Sequence, residues 1–402
     1  MYISEIELFR FRNLEQQRIQ FAPGLTVIVG KNGHGKTSLL EAIYLLSQPR
    51  SFRGARAREL PRWSGLPVDS PGQPAAADFC RVAANVETAA GLVEVGYEIQ
   101  NGERAVFVNG KPVTRLGSFL GQVTTVEFTP DELSLLKGPP ANRRQFLDRT
   151  LAMIKPGYIE QLVSYNRAVK NRNKVLATLF SKGDAAVEQQ LGPWDEALIS
   201  YGQTVVEARK ELTAALLNPF RQAHAGLTAS VETKPENHGA TGEESVALVY
   251  RSSFLKGAEL KSPDEIRLQL HEARERDLKY RSTSIGAHHD DLVVYLRNPE
   301  DSEKEFGREV AHGGASQGQI RTAALSLKVA SAGLITVRTG DPPILLLDDV
   351  ESELDEQRRH NLYGLILELG HQVFVTTTDL SRTFAGRFPA AKILSMDKGR
   401  IS

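Results

Sequence analysis

Apolar residues change their spacing twice along this chain, and each change predicts a change of architecture. From Ile3 to Val108 the spacing is that of strands. Ile3, Ile6 and Leu8 are interleaved with polar residues, Leu25–Val29 is a continuous apolar run, and Phe79–Val86, Leu92–Ile99 and Ala105–Val108 alternate. Asn109-Gly110 after the last of these predicts a tight hairpin turn. The continuous run reads as a strand buried on both faces, and the alternating segments read as an antiparallel β layer beside it. One helical pattern, Leu39–Leu46, interrupts the strands. Pro61 to Ala77, rich in Pro, Gly and Ala without periodicity, predicts a surface loop.

After Pro139-Pro140 the period becomes helical, with interruptions at Pro156-Gly157, Gly183 and Gly192-Pro193. Trp194, Leu198, Tyr201, Val205, Ala208, Leu212 and Ala215 follow a 4,3,4,3,4,3 spacing, an apolar seam for a partner helix. The segment Ile159 to Phe180 is the expected antiparallel partner across a break at Ser181–Asp184. Each helix would span roughly 35 Å at 1.5 Å per residue. A projecting helical hairpin and a pair of ordinary amphipathic core helices satisfy this pattern equally. Glu232 to Ser245 reads as a polar loop. Ser262-Pro263-Asp264-Glu265 has the order of a helix start, with Ser at the cap, Pro first and Glu three residues on. Strand spacing returns at Val293–Leu296, Ile344–Leu347, Val373–Thr377 and Ile393–Met396, with helices from Gln317 and Glu356 between them. The fold class expected is therefore α/β: a discontinuous head with a mixed sheet and an antiparallel β layer (residues 1–140 and 285–402), and an inserted helical lobe (residues 141–284).

Composition narrows the partners more than the fold. The 402 residues exceed one ordinary core, and 41% hydrophobic content is ample for two. Lys+Arg and Asp+Glu are both 49, so no global field attracts nucleic acid, and any such partner must be held by local basic clusters. Two clusters stand out: Arg50, Arg53, Arg56 and Arg58 after the first helix, and Arg167, Lys170, Arg172 and Lys174 in a helical segment with no acid between Arg167 and Lys174. A solvated helix face accounts for such a run as readily as a phosphate-binding surface does. A single cysteine, Cys80, allows no internal disulfide, and no apolar run approaches 18 residues. The expectation is a soluble cytoplasmic protein without a membrane partner.

The chemistry starts at Gly30-Lys31-Asn32-Gly33-His34-Gly35-Lys36-Thr37-Ser38, a G-x-x-x-x-G-K-[ST] run between a buried strand and a helix. In that setting glycines turn successive N–H groups toward phosphate oxygens and the helix adds its dipole. Lys36 supplies a point charge for the β and γ phosphates, and the Thr37 hydroxyl is placed for Mg²⁺. Ile344-Leu345-Leu346-Leu347-Asp348-Asp349 completes the pair: a buried strand ending in two carboxylates, with Asp348 for the Mg²⁺ shell and Asp349 to orient or deprotonate the attacking water. His288-His289-Asp290-Asp291 suggests a metal site at first sight. On an extended segment, however, adjacent side chains point to opposite faces, and hydrogen bonding at the lobe junction is the better expectation.

Two further pieces, Ser316-Gln317-Gly318-Gln319 at a helix start and Ser352-Glu353-Leu354-Asp355 after the carboxylate strand, resemble the signature loop and D-loop of ABC-type ATPases. Phe9-Arg10-Phe11-Arg12-Asn13-Leu14, Phe128-Thr129-Pro130-Asp131-Glu132-Leu133, Lys137-Gly138-Pro139-Pro140, Arg143-Arg144-Gln145-Phe146-Leu147-Asp148, Gly286 to Asp291 and Leu347 to Asp355 are similar to the RecF family of recombination mediators, nearly from end to end. The family usually shows Gly-Pro-His-Arg-Asp-Asp where this chain has Ala287 and His289. The resemblance implies an ABC-type head that binds ATP and Mg²⁺, hydrolyses ATP slowly with stimulation by DNA, and dimerises on ATP with Ser316, Gly318 and Gln319 capping the partner's nucleotide. It implies nucleotide contacts from Arg12, Asn13 and Asp355, and Thr378 where transporters keep a switch histidine. It also implies binding to single-stranded and double-stranded DNA or their junctions, with Arg143 and Arg144 added to the basic candidates, and RecR and RecO as partners in recombinase loading. A transporter ATPase subunit is the competing class, disfavoured by the helical lobe and by Thr378. A small-molecule kinase would need no Ser-Gly signature loop.

Overall fold

The computed structural model describes residues 1–61, 79–179, 184–229, 245–297, 307–312, 315–350, 354–379 and 391–402. The expected loop beyond Pro61, the break around Ser181, the polar stretch from Glu232 and Ser352-Glu353 lie outside these residues. The described chain forms two compact units. One comprises described residues within Met1–Glu132, Gln222–His238 and Arg321–Ser402, the other those within Leu133–Arg221 and Gly239–Ile320.

The first unit is built on two six-stranded sheets. One is antiparallel, in the order Gln17–Gln20, Tyr2–Phe9, Phe79–Thr88, Gly91–Gln100, Glu103–Val108, Lys111–Pro112. A register shift between Ile3 and Glu5 explains how both Ile3 and Ile6 reach the core although they are three residues apart. Asn109 (φ 50°) and Gly110 (φ 71°) make the expected turn, since both positions need left-handed backbone. The other sheet runs Arg400–Ile401, Lys392–Asp397, Leu25–Val29, Val373–Thr377, Ile344–Asp348, Thr125–Phe128 and is parallel except at its first pair. Helix Lys36–Leu45 contributes to one apolar core with both sheets, so Leu39, Leu40, Ala42, Ile43 and Leu45 are all fully buried. Such burial suits a helix that is apolar nearly all round. Helix Gln317–Thr339 is long and apolar enough to cross a bilayer, but 78% of its most apolar window is buried, as in a core helix.

The second unit corrects three expectations. Asp291–Arg297 does not join the head sheet. It pairs antiparallel with Ser245–Arg251 and with Arg308–Glu309, which moves the boundary from 285 to about residue 320 and gives the lobe a three-stranded sheet of its own. Gly192-Pro193 does not end a helix: Asp184–Thr228 is one helix of 45 residues, about 68 Å long, with Pro193 and Pro219 inside it. Tertiary burial of Leu191, Leu198, Val205, Val206 and Leu212 outweighs the hydrogen bond that each proline removes. The buried set also includes Ile199, Leu216 and Phe220, a stripe wider than a two-position coiled-coil seam, which selects the core-helix reading. The third correction concerns residues 287–289, which form a single 3-10 turn and not an extended segment. His288 Nε2 and His289 Nε2 each lie 3.0 Å from the Thr283 carbonyl, and His288 Nδ1 lies 2.7 Å from Tyr165 Oη. Ser262 caps helix Pro263–Glu272 in a reciprocal box with Glu265, as expected.

Candidate functional site

The parallel sheet places Val373–Thr377 between the strand that leads into the phosphate loop and the strand that ends at Asp348. All three strands point their C-terminal ends the same way, so the loop, Thr376 and the two carboxylates meet at one edge, where ligands bind in open α/β sheets. A cavity of about 800 Å³ opens there, and Arg12, Asn13, Lys36, Asp348, Asp349 and Lys398 are among the residues that line it.

Helix Lys36–Leu45 starts at Gly35, whose φ of 112° is left-handed; a Cβ there would also sit 2.9 Å from the Leu14 side chain. The backbone conformation is what requires glycine here, and the contact adds to it. Lys36 Nζ donates to the carbonyls of Gly30 (2.6 Å) and Lys31 (3.1 Å), arching over the loop it belongs to. Burial pushes its pKa down, and the carboxylates of Asp349 and Asp348 oppose that shift. Asn32, Gly33, His34, Thr37 and Ser38 line the same cavity. Asn13 braces the loop from the side, donating to the Gly33 carbonyl (3.0 Å) and accepting from the Ser38 hydroxyl (2.8 Å).

The Thr37 hydroxyl donates to Asp348 Oδ1 at 2.9 Å, and Thr376 donates to the same oxygen at 2.9 Å. Asp348 is only 8% exposed, and burial raises its pKa despite those two hydrogen bonds. A buried carboxylate held beside a threonine hydroxyl has the donor set of a hard divalent cation, so the residues fit Mg²⁺. Asp349 holds left-handed backbone (φ 48°), with its N–H donating to Thr376 Oγ1 (3.0 Å). Backbone strain of this kind in a non-glycine residue clusters at functional positions.

Several site residues were not legible in the sequence. Glu41, fully buried, accepts both prongs of the Arg12 guanidinium (2.9 and 2.8 Å) and a hydrogen bond from the Ser51 hydroxyl, with Arg53 3.9 Å away. One acid inside the otherwise apolar run Leu39–Leu46 was the available signal. Thr376, not Thr378, lines the cavity: Thr376 is buried within Val373–Thr377, whereas Thr378 is exposed just beyond the strand end. Ser316, Gly318 and Gln319 lie in the second compact unit, where Ser316 Oγ accepts from Gln319 N–H and Gln319 Oε1 from Ser316 N–H. Asp355 caps helix Glu356–Glu368.

The basic candidates divide sharply. Arg172 is fully buried, donating to Asp195 and Asp277 at 2.6 Å each, and Arg143 is 4% exposed with a two-pronged bond to Asp291 (2.6 and 2.8 Å). Neither can reach a phosphate backbone, so both leave the DNA set and serve as internal ties of the second unit. Arg144 is partly buried and donates to the Asp290 carbonyl (2.7 Å). Arg167, Lys170 and Lys174 are exposed on helix Tyr158–Thr178, as are Arg50, Arg56 and Arg58 in the first unit. Arg53 is exposed too, but it lines the phosphate-loop cavity.

Residues 2–393 match the model of the RecF/RecN/SMC N-terminal domain. A DNA replication and repair protein RecF from Streptococcus pyogenes serotype M49 is 34% identical over 380 residues, covering 94% of this chain and 93% of that protein. A solved structure of the recombination mediator protein RecF with ATPrS, described in the RecFOR pathway, superposes with a TM-score of 0.82 at 30% identity, covering 100% of this chain and 97% of the other. Its ATP counterpart gives 0.81 at 29% identity. The Smc head domain of Pyrococcus furiosus, at 18% identity and a TM-score of 0.53, shares the fold. A family model matched over nearly the whole length and a relative 34% identical over 94% of it show that the chain belongs to the RecF family of ABC-type ATPases.

Proposed function

We propose that this protein is an ATP-switched DNA-binding protein of recombinational repair, which clamps DNA as an ATP-dependent homodimer and releases it on slow hydrolysis. The observation that carries the reading is the hydrogen bond from Thr37 to Asp348 in a cavity lined also by Lys36, Arg12, Arg53 and Asp349. The cations suit a polyphosphate, and the carboxylates suit a metal and a water. Mg²⁺ held by Thr37 and Asp348 would neutralise charge on the β and γ phosphates. Lys36 adds its ammonium to the same oxygens, Arg12 and Asn13 fix the nucleotide against the loop, and Asp349 orients the attacking water. Ser316 and Gly318 open a long helix, and Ser316 is exposed there, an arrangement suited to the γ-phosphate of a second copy.

The exposed row Arg167, Lys170 and Lys174 supports a phosphate-backbone contact without sequence preference. Family membership supports RecR and RecO as protein partners, recombinase loading at gapped DNA as the outcome, and a cytoplasmic location. ATP binding and hydrolysis measured with and without gapped DNA, for wild type and Lys36→Met, test the reading. Wild-type turnover should be slow and rise with DNA, and Lys36→Met should lose the ATP response. Fast turnover indifferent to DNA would point to the transporter class instead.

A further inference from the structure

The hairpin that joins Lys392–Asp397 to Arg400–Ile401 is fastened to both segments that frame the nucleotide cavity. Gly399 N–H donates to the His34 carbonyl (2.8 Å), and the Gly399 carbonyl accepts from Glu15 N–H (3.1 Å) and from the Gln17 side chain (2.9 Å). Asp397 lies 3.1 Å from His34 Nδ1. A Cβ on Gly399 would fall 2.0 Å from the Asn13 carbonyl, and one on Gly30 would fall 2.3 Å from the Met396 carbonyl. Backbone approaches this close tie the turn to the phosphate loop and to the Arg12-Asn13 segment, so its tip has little freedom. At that tip stands Lys398, in left-handed backbone (φ 44°), exposed and lining the cavity beside Arg12, Asn13 and His34.

Residue type and backbone disagree at this position. With φ positive at Lys398 and at Gly399 (89°) the turn has the two-residue geometry that favours Asn-Gly or Gly-Gly, and lysine is a poor occupant of its first position. Strain of this kind at a ligand cavity points to a function for the side chain. We propose that Lys398 is a nucleotide-contacting residue, a second lysine delivered from the C-terminal hairpin to the polyphosphate already gripped by Lys36. The proposal rests on the ATP-binding reading of the cavity. Its consequence is specificity: the ammonium favours nucleoside triphosphate over nucleoside, and it links the last strand pair to occupancy of the phosphate loop.

The hairpin chemistry supplies clean variants. Lys398→Asn and Lys398→Gly remove the ammonium while suiting left-handed backbone better than lysine, so the turn is kept; Lys398→Arg keeps the charge. Binding of ATP and of adenosine to the full-length protein is measured by calorimetry, with Lys36→Met alongside and the melting temperature of each variant without nucleotide. The Asn and Gly variants should bind ATP about ten- to a hundred-fold more weakly, the size expected for one charge-assisted hydrogen bond. Adenosine binding should be unchanged, the melting temperature of the Asn and Gly variants should be equal to or higher than that of the wild type, and Arg should restore ATP affinity to within about three-fold. Wild-type ATP affinity in Lys398→Asn, alongside loss in Lys36→Met, would overturn the proposal and leave the nucleotide site standing. Weakened binding that Arg fails to restore, with a lowered melting temperature, would reduce Lys398 to a turn residue and overturn it as well. Failure of the wild type to bind ATP would remove the underlying reading itself.

Discussion

Glu41 offers the sharpest test of how the head couples its core to its nucleotide. The carboxylate is fully buried, and the Arg12 fork and the Ser51 hydroxyl supply its partners. Glu41→Gln keeps the volume but turns an amide NH₂ toward a guanidinium, donor against donor, and removes the compensating charge. Breaking a buried ion pair from one side costs about 3–5 kcal/mol. The Arg12 side chain retains 19% exposure, so water recovers part of that, and about 3 kcal/mol is the figure to expect. A unit of this size loses roughly 2–4 °C per kcal/mol, so the melting temperature should fall by about 6–12 °C. Because Arg12 also lines the cavity, ATP affinity should fall with it. Scanning calorimetry on Glu41→Gln, Arg12→Leu and the double variant gives the interaction energy: the double variant should be at least about 1 kcal/mol less destabilised than the sum of the singles. Additive losses, or a Glu41→Gln melting temperature within about 1 °C of wild type, would refute the coupling.

Three further outcomes are expected. Asp349→Asn should bind ATP normally and still dimerise while turnover drops at least about a hundred-fold, in the range of general-base effects; a turnover assay showing wild-type rates would exclude Asp349 from the water's position. Neutralising Arg167, Lys170 and Lys174 together should weaken DNA binding across sequences alike and lower the salt slope by about one per lost phosphate contact, with ATP binding intact; if a salt titration shows neither change, the Arg50–Arg58 segment becomes the candidate surface. His288, driven down to about 4 by burial, is neutral in the folded state but protonates near 6.5 when unfolded. Its contribution is therefore complete above pH 6.5 and is lost as pH falls toward 4, up to about 3 kcal/mol. Burial raises the pKa of Asp290, which acts in the opposite sense, so the comparison is with His288→Asn: denaturant unfolding between pH 7 and 4 should fall less steeply in the variant, and parallel profiles would contradict the assignment.

Local pattern determined the elements whose physics is local. The phosphate loop needed glycines at fixed offsets between an apolar strand and a helix, and Gly35, Lys36 and Thr37 stand where that spacing places them. The carboxylate strand, the Asn109-Gly110 turn and the Ser262 cap were legible for the same reason: each is specified within a few residues. Charge clusters were legible only as clusters. Arg172 lies between Lys170 and Lys174 in sequence, yet 3.6-residue periodicity turns it inward onto Asp195 and Asp277 while its neighbours stay in solvent. Tertiary structure alone decided the rest. It assigned Asp291–Arg297 to the second unit by pairing it with Ser245–Arg251, carried one helix through two prolines by burying its apolar stripe, chose Thr376 over Thr378, and brought Glu41 to Arg12 and Lys398 to the phosphate loop. Strand partners, packing of a proline-containing helix and ion pairs between separate segments depend on free energies shared between distant parts of the chain, and no short window of sequence contains both halves of such a contact.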